Sequence, residues 1–299
     1  NPNRIVEPIC ANQTELPYLT CLGVQSLESN LESINQQPFN YRAQIAAGNS
    51  AFNLNAYESA IERYSAAISL VPNSWQIRID LAESQVALGL LGPALLELER
   101  SLQITGETGH SFTALFLRGD LLIKMGRLDE ALISLKQALS ISGTGDTAEE
   151  ILHMIRDINT QQGGPFDLAH LNDIIQNDPS DVVAIYFRGL EYLTQGRFED
   201  AKKDIGEAYR LGLKVHEVRA NQAYVRFMTN NPSSTEGIIA YEELAAVVAE
   251  EPQYALFRTY LAEMQHARGD VALQQNWDFD WMRTNDVGLL SSDWDRADG

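Results

Sequence analysis

Gly126 to Ile141 reads GRLDEALISLKQALSI, and Gly196 to Leu211 reads GRFEDAKKDIGEAYRL. Glycine, arginine, an apolar residue, an acidic pair and two alanines recur in step. A chain that repeats a short phrase repeats the local structure that the phrase encodes. Each copy must then bury its apolar face on the next, so the period is the first guide to the fold.

Outward from these two stretches the phrase becomes a period. Ala60, Ala94, Ala131, Ala201 and Ala240 occupy equivalent places at spacings of 34, 37, 70 and 39, which a unit of 34 with short insertions accommodates. Thirteen residues upstream of the first four stand Ala47-Gly48, Leu81-Ala82, Arg118-Gly119 and Arg188-Gly189. Downstream come the larger Tyr64, Leu98, Leu135, Ile205 and Leu244, then the small or apolar Ala67, Ser101, Ala138, Ala208 and Val247. Pro72, Pro179 and Pro252 close three units, where a ring without an N–H ends a helix. Small residues at two fixed points let two helices approach closely, and the larger residue between them fills the seam.

This pattern resembles the tetratricopeptide repeat family over residues 41 to 285. The resemblance implies an all-α, right-handed superhelical solenoid of about six or seven helix hairpins with atypical capping ends. It divides the chain into an extended or helical cap (1–40), the solenoid (41–285) and an acidic tail (286–299). Leu19, Leu22, Leu27, Leu31 and Ile34 recur near helical spacing in the cap, which is expected to cover the first repeat. The unit at about 148–181 is degenerate, with Ile155 at a small-residue position and Asp167 at an alanine position, and its helix pair is expected to be irregular. In the unit at about 215–254, Asn230-Asn231-Pro232-Ser233-Ser234 stretches the turn and obscures the phase of the first helix.

The 299 residues carry 41 acidic against 22 basic side chains, a formal charge of −19. Such a field repels nucleic acid and favours encounters with basic partners. No apolar run is long enough to span a membrane. Cys10 and Cys21 are the two cysteines, and their position in the non-repeat segment permits a disulfide. With the start at Asn1 and the sequon Asn12-Gln13-Thr14, they point to a secreted or periplasmic setting, with the cytoplasm as the alternative.

Several motifs are better explained by the repeats than by chemistry. Arg118-Gly119-Asp120 and Arg268-Gly269-Asp270 place their glycines at a packing position and a turn, where neither triplet can serve as an adhesion loop. Gly143-Thr144-Gly145-Asp146-Thr147-Ala148 follows a helix, not the strand that a dinucleotide fingerprint requires. Glu149 with His153, or His170 with Asp167 or Asp173, supplies only two metal ligands, so no metal or other cofactor is expected. No nucleophile elbow or phosphate loop occurs, and the expectation is a protein without enzymatic activity.

The family's first helices line a groove with their second, fifth, ninth and twelfth residues. On this chain the resemblance names Arg42, Ile45, Asn49 and Phe52; Gln76, Ile79, Glu83 and Val86; Thr113, Phe116, Asp120 and Ile123; and Val183, Tyr186, Leu190 and Leu193. Only Asn49 fits the clamp by which one subgroup holds chaperone tails. The expectation is a protein-binding scaffold that takes a partner protein or peptide, basic by charge complementarity, as an exported assembly factor. The alternative is a structural subunit or homo-oligomer that docks through Trp277, Phe279, Trp281 and Trp294; an enzyme is the remote one.

Overall fold

The computed structural model describes residues 15–106, 109–161 and 167–269. Cys10, the tail 286–299 and the aromatic residues Trp277, Phe279, Trp281 and Trp294 fall outside them. The expected disulfide and aromatic docking site therefore fall outside them too.

Among the described residues there are fourteen α-helices, one short 3-10 turn and no strand. The chain divides between Ile141 and Ser142 into two compact units. In the first, α1 (Glu15–Gln36) precedes three hairpins: α2 (Tyr41–Asn53) with α3 (Tyr57–Leu70), α4 (Trp75–Ala87) with α5 (Leu91–Thr105), and α6 (Phe112–Lys124) with α7 (Leu128–Ile141). In the second unit, α8 (Asp146–Gln161) and α9 (Leu168–Asn177) are followed by α10 (Val182–Thr194) with α11 (Phe198–Arg210), α12 (His216–Met228) with α13 (Thr235–Glu250), and α14 (Ala255–Ala267).

The phasing residues sit where the hairpins need them. Ala60, Ala94, Ala131, Ala201 and Ala240 are all fully buried. A Cβ placed on Gly48 would lie 2.6 Å from the Tyr64 ring, one on Gly119 2.5 Å from Leu135 Cδ2, and one on Gly189 2.7 Å from Ile205 Cγ1. The backbones of the paired helices are therefore closer than any side chain at these glycines would permit.

The turns inside the hairpins share one geometry. Asn55, Gly89, Gly126 and Gly196 all have left-handed φ, between 59° and 74°. The next residue's N–H then reaches back to close the first helix: Ala56 to Ala51 O, Leu90 to Gln85 O, Arg127 to Leu122 O and Arg197 to Tyr192 O, at 2.8 to 2.9 Å. This satisfies a carbonyl that the helix end would leave open. It also explains how α3, α5 and α11 begin without a side-chain cap. Side chains of Asn40, Asp181 and Ser234 do cap α2, α10 and α13, where the connections differ.

α1 packs on α2, with Ile34, Ala43 and Ala47 buried and Leu27 and Leu31 against them. The degenerate hairpin is indeed irregular. Asp167 lies before α9 as its N-cap, accepting from His170 N–H at 2.9 Å, and α9 is only 10 residues long. α8 and α9 lack the close packing of the other hairpins. Ile151, Leu152, Ile155 and Ile158 of α8 are nevertheless buried, and its Glu149 and Arg156 bond to α12.

Candidate functional site

In the first unit, α2, α4 and α6 carry polar residues that project between apolar ones. Arg42, Asn49, Gln76, Glu83 and Thr113 are exposed; Ile45, Phe52, Val86, Phe116, Asp120 and Ile123 are half-buried; Ile79 is buried. Local contacts fix several of them. The Tyr64 hydroxyl donates to Asn49 Oδ1 at 2.8 Å, Phe52 meets Tyr57 edge-on at 5.5 Å, and Asp120 pairs with Lys124 at 2.6 Å one turn along α6.

Asp80 joins this set, one turn before Glu83 on α4. Neither carboxylate has an ion-pair partner among the described residues; Asp80 accepts only a long hydrogen bond from Gln76, 3.4 Å. Burial lifts the Asp80 carboxyl above the ordinary carboxylate range, only partly offset by Gln76. It also lifts Glu83, and the neighbouring Asp80 charge lifts it further. The Tyr64 phenol is pushed up by burial and then by these two carboxylates, which places all three groups in one local field. Asp80 is not at one of the four groove positions, so the repeat pattern could not single it out. The available signal was its i,i+3 relation to Glu83.

The second unit uses the corresponding helix faces differently. Val183 and Tyr186 are buried, and Leu190 and Leu193 are half-buried, with Leu193 packed on the core shared by α12, α13 and α14. Tyr186 donates its hydroxyl to Glu217 Oε1 at 2.7 Å and accepts from Asn221 Nδ2 at 2.8 Å. The same carboxylate is bonded by Arg156, and His153 Nε2 lies 3.3 Å from its other oxygen. Burial alone would raise the Glu217 carboxyl, but the bonds from His153, Arg156 and Tyr186 outweigh it and hold it down to about 2. On the adjoining turn, Tyr224 stacks on Tyr260 at 3.9 Å and donates to Glu263 at 2.6 Å. Side chains of the protein itself thus occupy this face.

A helix-hairpin repeat with close glycine and alanine seams defines the class of this molecule. The family models agree: residues 45–109 and 112–144 both match models described as tetratricopeptide repeat. Those two stretches are thus tetratricopeptide repeats. No curated protein matches the chain. Among solved structures it is similar to a tetratricopeptide repeat protein from Parabacteroides merdae, with 17% identity, 81% of this chain and 92% of that one covered, and a TM-score of 0.42. It is also similar to YrrB, a TPR protein with an unusual peptide-binding site, with 19% identity, 62% and 93% coverage and a TM-score of 0.40. A third likeness is to the yeast Sti1 TPR2AB domain in its pHSP90 complex, with 14% identity, 78% and 98% coverage and a TM-score of 0.38.

Proposed function

We propose that this chain is a non-catalytic scaffold that binds a basic segment of a partner protein along α2, α4 and α6. The observation that carries the reading is the pair Asp80, half-buried, and Glu83, exposed beside it, two carboxylates raised by burial and without an ion-pair partner among the described residues, near half-buried Phe52, Val86 and Phe116. A lysine or arginine placed there would relieve the unfavourable charge that burial creates, while its neighbours in the segment cover apolar surface. The second unit offers less to a partner, because its equivalent positions are filled by Tyr186, Tyr224 and Tyr260. A carboxyl held as low as that of Glu217 is also poorly suited to act as a general base near neutral pH. Cysteine usage supports an extracytoplasmic setting for this scaffold, and intact mass with and without reductant tests the Cys10 to Cys21 bond.

The binding test is selection of peptides from a random library on the full chain, followed by titration of the enriched sequences. Lysine or arginine is expected in the enriched peptides, and Asp80→Asn with Glu83→Gln is expected to weaken them about tenfold without lowering the melting temperature. Peptides devoid of basic residues, or equal binding by the neutralised variant, would overturn the assignment.

A further inference from the structure

Three separate elements of the second unit bring metal-ligating groups to one place. Asp146 opens α8, His216 opens α12 and Glu251 follows α13; one ligand atom from each lies within 4.8 Å of the others. The imidazole is bracketed by carboxylates on both nitrogens. Nδ1 is 2.9 Å from Glu149 Oε2 and 3.7 Å from Glu251 Oε1, and Nε2 is 3.4 Å from Glu250 Oε2. With Nδ1 bonded to Glu149, Nε2 is left to ligate an ion, and a carboxylate on the other ring nitrogen is the arrangement that fixes the ring in protein metal sites.

The cluster is held by backbone and buried groups. Glu149 is only 5% exposed, and its second oxygen accepts the Glu217 N–H at 3.2 Å. Lys214 N–H donates to Gly143 O at 2.7 Å, and a Cβ on Gly143 would strike Gly212 O at 2.4 Å, so the loops bearing Asp146 and His216 are locked together. Glu251 has its other oxygen bonded by Gln253.

Neighbouring cations are otherwise engaged. Arg219 pairs with Glu250 at 2.7 Å, Arg156 pairs with Glu217, and the Lys214 ammonium lies over the Tyr209 ring at 5.3 Å. Asp146, Glu149 and Glu251 are thus left facing one imidazole.

We propose that Asp146, His216 and Glu251 form a site for a divalent transition-metal ion of the zinc or manganese class, with Glu149 orienting the imidazole. A nitrogen ligand among carboxylates suits these ions better than calcium or magnesium, which take oxygen ligands throughout. The ion clamps the start of α8 to the α12 and α13 ends. It thereby joins the irregular hairpin to its neighbours, where close α8 to α9 packing is lacking.

The test uses the full chain, stripped with chelator and titrated with zinc or manganese alone by calorimetry and thermal melting. One ion per chain is expected, with a melting temperature that rises with ion concentration. His216→Asn and Glu251→Gln, each folded by circular dichroism, are expected to weaken binding at least about tenfold. His153→Gln, a histidine outside the cluster, is expected to leave it unchanged. Glu251 follows a helix, so its substitution tests the site even if the His216 variant fails to fold. Absence of saturable binding, or equal binding by the Glu251 variant and the parent, would overturn the proposal.

Discussion

At Gly119 a single methyl group decides whether a hairpin closes. Its Cβ would lie 2.5 Å from Leu135 Cδ2 and 2.7 Å from Leu135 Cγ, and the γ carbon cannot swing aside as a chain tip can. Gly119→Ala is therefore expected to cost about 1 to 3 kcal/mol in urea unfolding. Combined with Leu135→Ala it should cost clearly less than the sum of the two single changes, because the second substitution removes the obstacle. Additive losses would show that the helices do not meet at this point. Gly126 is constrained by its backbone instead, since φ is 74° and nothing stands within 4 Å of its Cβ direction. Asn55 already occupies the equivalent left-handed place at 59°. Gly126→Asn should therefore be nearly neutral, whereas Gly126→Val should lower stability by about 1 to 2 kcal/mol, both read from the denaturation midpoint. The packing role of Gly119 was legible in the sequence, because small residues at a fixed offset from a repeated alanine have few other physical explanations.

Among the elements, regular hairpins were readable in detail, whereas the irregular one was legible only as a break in the pattern. The Arg-Gly signature gave the glycine a role, but only the fold shows what its arginine does. Arg118 reaches Ser134 at 2.5 Å and Arg188 reaches Asp204 at 2.6 and 2.9 Å, in each case sixteen residues along on the second helix. Loss of phase at Asp167 and at Asn230–Ser234 obscured how α8 meets α12, so Tyr186 and His153 were read in other roles and Arg156, Glu217 and Asn221 were not singled out. Periodicity cannot report a contact between residues 61 apart, such as Arg156 and Glu217. That contact governs a pH response. Glu217 is depressed in the folded chain, so its stabilisation is complete above about pH 4.5 and is lost as pH falls toward about 2, amounting to as much as ~3 kcal/mol. His153 is raised by its bond to Glu217, so its part is complete below about 6.5 and disappears as pH climbs through the higher folded value. Stability of the second unit should accordingly peak between these limits, and Glu217→Gln should flatten both flanks in thermal melts across pH. A variant that keeps the parent's pH profile would mean that other groups carry it.

For the whole molecule the governing quantity is the formal charge of −19. Net charge of this size destabilises a compact chain through self-repulsion while it draws in partners of opposite sign, and both effects act over a Debye length. That length contracts from about 30 Å at 0.01 M salt to about 8 Å at 0.15 M. The two effects therefore move in opposite directions in one titration. Raising sodium chloride over that range should lift the melting temperature by a few degrees, since about 1 kcal/mol corresponds to roughly 2 to 4 °C in a domain of 150 to 250 residues. The same salt should weaken a basic peptide bound at Asp80 and Glu83, chiefly by slowing association. Calorimetry on the free chain and stopped-flow association on the complex make the comparison in identical buffers. If salt strengthened binding along with stability, apolar contact at Phe52, Val86 and Phe116 would be the dominant attraction. If salt lowered both, the scattered pairs such as Arg127 with Glu130 and Arg210 with Glu207, at 2.6 and 2.5 Å, would outweigh the net repulsion despite their exposure. Only the opposed pair of responses is consistent with excess carboxylates that oppose folding and recruit a cationic partner through one field.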